Sequence, residues 1–80
     1  MTHAEIKKAF INQSKIVYAS TWYGEIRYEC ISALRYTLDK NTKKPCAHVE
    51  LKEIGRNGIT SLSERDFEKL SVMEVHNEQN

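Results

Sequence analysis

The 80-residue chain is short of almost everything that catalysis, export or membrane insertion uses. Its two cysteines, Cys30 and Cys46, make neither a metal-type spacing nor a disulfide framework. Its three histidines, His3, His48 and His76, have no Cys, Ser or carboxylate at a spacing that suggests a triad, and no two of them stand at metal-ligand spacing. Of the three glycines, Gly55 and Gly58 belong to a hairpin, so there is no glycine-rich phosphate loop. These absences point away from an enzyme and imply no cofactor and no metal. No apolar run approaches the length of a membrane span or a signal-peptide core, so the expected location is cytoplasmic, with no membrane partner. Neither charge is in excess: twelve Lys and Arg face eleven Asp and Glu, for a net charge of +1. A protein held to nucleic acid mainly through phosphates carries a clear basic excess. Any such site here would have to come from local clustering.

What the chain does have is one long alternating run. From Glu25 to Asp39 the even positions read Ile26, Tyr28, Cys30, Ser32, Leu34, Tyr36 and Leu38, and the odd positions are mostly polar. That period of two predicts a half-buried β-strand. From Ile26 to Leu38 it would span roughly 43 Å at about 3.3 Å per residue. A compact domain of this length has a radius of gyration of only about 12 Å. The run is therefore expected to bend, with the small pair Ser32-Ala33 as the hinge and a small barrel as the outcome.

Around it, Thr2-His-Ala-Glu5 fits a capping box, and Ile6, Ala9 and Phe10 follow as a narrow apolar stripe on a short helix. Lys15–Ser20 reads as a strand, and Thr21–Gly24 connects it to the long one. Asp39–Lys44 is a polar turn, and Pro45 can open a third strand, which runs to Ile54. Asn57-Gly58 is the strongest hairpin signal in the chain. Ile59–Leu62 forms a fourth strand, and Ser63 caps a helical or 3₁₀ turn that sends Phe67 and Leu70 inward. Ser71–Val75 closes the sheet as a fifth strand. The expected fold is mainly β: a five-stranded antiparallel barrel, SH3-like or Sm-like, as a single domain over residues 1–75 with a disordered tail at 76–80.

Because a slip of one residue turns a whole face over, the apolar faces fix the parity of pairing. Pairing Leu38 with Ala47, Tyr36 with Val49 and Leu34 with Leu51 satisfies it. Arg35 then faces Glu50, Ile31 faces Ile54, Ile54 faces Ile59, and Leu34 and Tyr36 hold the core. Cys30 and Cys46 fall far beyond the ~7 Å Cα limit for a disulfide, so free thiols are expected. Ile31, Ile54 and Ile59 form an apolar patch on an otherwise charged face. Either the helix covers it with Ile6 and Phe10, or it is an interface through which the chain oligomerises.

Aromatic residues concentrate near the first hairpin as Tyr18, Trp22, Tyr23 and Tyr28. A Trp-Tyr pair on a turn is a good binding anchor, unless Trp22 folds over the barrel end as a lid. Together with Lys40, Lys43 and Lys44 of the next loop and Arg56, it makes a candidate contact surface. The mixed charge balance favours a protein partner. A nucleic-acid site built by stacking plus local charge is the alternative.

The segments Ile31-Ser-Ala-Leu-Arg-Tyr36, Val49-Glu-Leu51 and Asn57-Gly58 resemble small SH3-like proteins encoded on prophages and conjugative elements of gut Firmicutes. Their bent strand reads roughly Ile-Ser-Ala-Ile-Ile-Tyr, and the resemblance covers about Phe10 to Leu70. This chain departs from them at Trp22-Tyr23 and in carrying Arg35 where they have a second aliphatic. The resemblance implies an accessory protein of a mobile element. Some such proteins block host defence systems such as CRISPR nucleases.

Overall fold

The computed structural model describes residues 1–73. The expected tail at 76–80, His76 and the end of the strand drawn to Val75 lie outside the described residues. Helix α1 (His3–Asn12) opens with the capping box: the Thr2 amide donates to Glu5 Oε1 at 2.8 Å, and the Glu5 amide donates to Thr2 Oγ1 at 3.2 Å. It ends where Gln13 turns left-handed at φ 53°. Five strands follow: β1 (Ile16–Ser20), β2 (Gly24–Leu38), β3 (Pro45–Glu53), β4 (Ile59–Ser63) and β5 (Leu70–Val72). A 3₁₀ segment, Glu64–Lys69, sits between β4 and β5. All neighbours pair antiparallel in the order β4-β3-β2-β1-β5. Among the described residues no helix is long and apolar enough to cross a membrane.

Ile6 and Ala9 from α1, Ile16 from β1, Tyr28 and Ile31 from β2, Ala47, Val49 and Leu51 from β3, and Phe67 and Leu70 build the core. Each fully buried aliphatic side chain in it contributes on the order of 1.5–3 kcal/mol. The two cysteines are free, Cys30 buried and Cys46 half-buried.

The sheet keeps the predicted parity but not the predicted register. Tyr36 pairs with Ala47 and Leu34 with Val49, while across the next ladder Lys52 pairs with Ile59. Each ladder thus sits two residues from the expected pairing, and an even slip leaves the faces where the alternation put them. Arg35 lies opposite His48 and reaches Glu50 diagonally, Nε to Oε2 at 2.7 Å.

One larger correction concerns Ile31. Its register breaks twice, between Tyr28 and Cys30 and between Ile31 and Ala33, so Glu29 and Ser32 are each an extra residue in β2. A bulge bends the strand and turns the residues beyond it to the other face. Ile31 is therefore not on the charged face with Ile54 and Ile59. It is 0% exposed, within the core that includes Ile6 of α1. Burying an Ile outweighs keeping a regular ladder, and the displaced Ser32 stays outside, its hydroxyl donating to the Glu50 carbonyl at 3.1 Å. Gln13 fastens the helix end here, its amide nitrogen donating to the Ile31 carbonyl at 3.1 Å. Ile54 and Ile59 stay about half exposed. The three-isoleucine patch is dissolved.

The hairpin expected at Asn57-Gly58 is present, joining β3 to β4. The positive φ in that loop belongs to Gly55, at 72°, and not to Asn57 or Gly58. A Cβ at Gly58 would stand 2.5 Å from Glu53 Oε1, the end of a flexible side chain that can move aside. That carboxylate accepts from the Thr60 hydroxyl, and the loop closes by the Glu53 amide donating to the Gly58 carbonyl.

Candidate functional site

Trp22 and Tyr23 sit in the turn between β1 and β2, and their exposure, 88% and 81%, rules out a lid. The turn backbone is held by side-chain hydrogen bonds. Ser20 Oγ accepts from the amides of Trp22 and Tyr23 at 3.2 and 3.1 Å, and Gly24 takes φ 72° to start β2. Lys69 Nζ donates to Thr21 Oγ1 at 3.3 Å, tying the turn to the 3₁₀ segment. Two large rings are thus presented to solvent on a backbone whose amides are already satisfied. The backbone of the turn is thus fixed, while the two exposed rings keep their rotamer freedom.

Arg56 belongs to the same end of the molecule. With Ile26, Arg27, Tyr28, Glu53 and Ile54 it lines a shallow depression of about 270 Å³. Ile26 stands two residues beyond Gly24, so the depression lies along β2 next to its start. Charges of both signs, Arg27, Arg56 and Glu53, and the half-exposed Ile54 border this depression.

The three lysines do not join them. Lys40, Lys43 and Lys44 follow Leu38, and Trp22-Tyr23 precedes Gly24, so the fifteen residues of β2 stand between the two groups. The expected single surface is therefore two, at opposite ends of β2. The lysine loop is also ordered. Asp39 Oδ1 accepts from the amides of Asn41 and Thr42 at 2.7 and 3.0 Å, and these bonds hold the Asp39 carboxyl below its ordinary pKa. The Lys43 amide donates back to the Asp39 carbonyl at 2.8 Å, with Lys43 itself left-handed at φ 59°.

What carries the lysines outward is the far half of the β2–β3 hairpin. β1 pairs only with Gly24–Tyr28, and β4 only with His48–Lys52. Beyond those ladders the hairpin is a two-stranded arm whose residues Arg35 to Leu38 are exposed on both faces. The expectation that Tyr36 belongs to the core fails here. Tyr36 is 53% and Leu38 70% exposed, because the core ends at Val49 and Ala47 and the strand does not. On the opposite face two diagonal contacts brace the arm: Arg35 with Glu50, and Thr37 Oγ1 with His48 Nε2 at 2.9 Å.

Glu64, which stands in no recognisable motif, links three elements. Its Oε1 accepts from the Ala47 amide at 3.2 Å, and its Oε2 lies 3.1 Å from His3 Nε2. The His3 ring meets Phe67 edge-on at 5.5 Å. Glu64 also bears on Cys46, whose thiol is pushed up by burial first and then by this carboxylate and Asp39. A raised thiol pKa makes a poorer nucleophile at neutral pH. Set against known proteins, the chain matches no family model, no curated protein and no solved structure.

Proposed function

We propose that this is a non-catalytic, cytoplasmic binding module of a mobile element, directed at a protein partner through the β1–β2 end. The observation that carries the reading is the pair Trp22 and Tyr23, both exposed on a turn fixed by Ser20. Arg56 and the depression beside Ile26 and Ile54 supply the rest of the contact. An SH3-like barrel is the architecture proposed, supported by the strand order β4-β3-β2-β1-β5 and by the 3₁₀ segment before the last strand. The most specific form of the reading is an inhibitor of a host defence nuclease such as a CRISPR effector, and it rests on the resemblance of the Ile31–Tyr36 segment to mobile-element proteins. Trp22→Ala with Tyr23→Ala tests it: capture of the partner should be lost while the thermal midpoint stays that of the wild type.

A second reading has its own observation. Lys40, Lys43 and Lys44 cluster at the tip of a two-stranded arm, and a two-stranded β-ribbon is narrow enough for the DNA major groove. In that reading the lysines contact phosphates, and binding weakens steeply from low to moderate salt. A mobility-shift titration against single- and double-stranded DNA and RNA decides it, and no shift at low salt removes it.

A further inference from the structure

The arm that carries the lysines leaves an edge of β2 without a strand partner. From Ser32 onward β2 has β3 on one side, and among the described residues no strand lies on the other. The matching edge of β3 is partly occupied, since Glu64 accepts the Ala47 amide. Free edges are usually blunted by bulges, prolines or several charges. Between Ala33 and Leu38 this one has a single charge, Arg35, and that is engaged with Glu50. An isolated two-stranded ribbon is also marginal in water, yet this one carries Tyr36 and Leu38 on one face in solvent.

We infer that the occupant of this edge is a second copy of the chain, with β2 pairing antiparallel to β2 of its twin about a two-fold axis at Tyr36. The sequence around Tyr36 is self-complementary in that register. Leu34 falls opposite Leu38, Tyr36 opposite Tyr36, and Leu38 opposite Leu34, so the face that leaves the core as a bare strip becomes continuous between copies. On the other face Arg35 falls opposite Thr37, with Asp39 and Arg35 of the twin at its two diagonals; the opposite-charge diagonal is stabilising, and the two guanidinium groups are kept out of direct opposition. A two-fold axis at Arg35 would instead set two guanidinium groups against each other. Pairing by strand addition supplies main-chain hydrogen bonds, and the apolar strip supplies the register. The contact is smaller than a standard interface of about 800 Å² per partner, so the dimer forms in a concentration-dependent way, in roughly the micromolar range. The β1–β2 end stays free in it.

Sedimentation equilibrium of the full chain from about 1 to 200 μM, with a cysteine cross-link, tests this. The wild type should pass from monomer to dimer mass, and Leu38→Glu, an exposed change that leaves the fold intact by circular dichroism, should hold it monomeric. In a Cys46→Ser background, Tyr36→Cys should form a disulfide dimer under mild oxidation, and Arg35→Cys or Thr37→Cys should form little. A wild type that stays monomeric throughout overturns the inference. So does a dimer indifferent to Leu38→Glu, or one that cross-links at 35 or 37 in preference to 36. A monomer shifted onto duplex DNA through Lys40, Lys43 and Lys44 would assign the arm to nucleic acid and equally overturn it.

Discussion

Among the described residues two non-glycine side chains sit at left-handed φ, Gln13 at the end of α1 and Lys43, and Lys43 is the one in a loop between strands. It holds φ 59° in the loop that closes the arm, a region where a side chain costs roughly 1–2 kcal/mol. Lys43→Gly removes that cost but enlarges the freedom of the unfolded chain, so the net gain should be about 0.5–1 kcal/mol. In a domain of this size that raises the thermal midpoint by several degrees, about 4–8 °C per kcal/mol, and calorimetry would read it. The same loop gives a pH dependence. The Thr42 amide first, then the Asn41 amide, hold the Asp39 carboxyl below its ordinary value, and the Thr2 amide does the same for Glu5. A depressed carboxylate contributes stability above the unfolded value, near pH 4, and loses it as pH falls through the folded one. Asp39→Ala should therefore be less stable than the wild type at pH 7, with the gap closing below about pH 4. A gap that widens in acid would contradict the assignment.

At the scale of elements, β2 decides the fold through its two bulges. Ile31→Ala should cost about 2–5 kcal/mol, as a truncation within a packed core does. Ile54→Ala and Ile59→Ala, at half-exposed positions, should stay within about 0.5 kcal/mol. Urea denaturation of the three variants compares them directly, and equal losses at all three would mean that Ile31 is not inside. The contrast also marks what could be read in the sequence. The capping box was legible because it is local: four consecutive residues satisfy one another. The parity of β2 and β3 was legible because a single-residue slip would expose every apolar side chain. The Ser32-Ala33 pair was legible as the place where β2 departs from regularity, and the second register break falls there; the inward turn of Ile31 was not, because it is resolved by packing against a helix more than fifteen residues away. Its one trace in sequence is the adjacent pair Cys30-Ile31, two apolar residues in a row within an alternating run. Asn57-Gly58 was legible as a hairpin for the same local reason as the capping box, although the positive φ of that loop falls at Gly55.

For the whole molecule, the length of β2 sets what can act together. A fifteen-residue strand separates the aromatic turn from the lysine loop, so no single flat partner surface need include both. The exposure of Trp22 and Tyr23 was legible as a possibility from their place on a turn. The division into two ends was not, because in a spherical domain of this length β2 would have to curl back on itself, whereas its second half leaves the core as an arm. Anchors of this type each contribute about 2 kcal/mol or more when they fill a partner pocket, so losing both should weaken binding by at least about a thousandfold. The lysines, by contrast, should matter mainly if phosphate is the ligand. The most direct measurement is a quantitative pull-down from nuclease-treated bacterial lysate with three baits: the wild type, Trp22→Ala/Tyr23→Ala, and Lys40→Ala/Lys43→Ala/Lys44→Ala. A protein held by the wild type and the lysine variant at moderate salt, and lost with the aromatic pair, is the predicted result. Equal capture by the aromatic variant, or capture that disappears with nuclease or with the lysines alone, would contradict it.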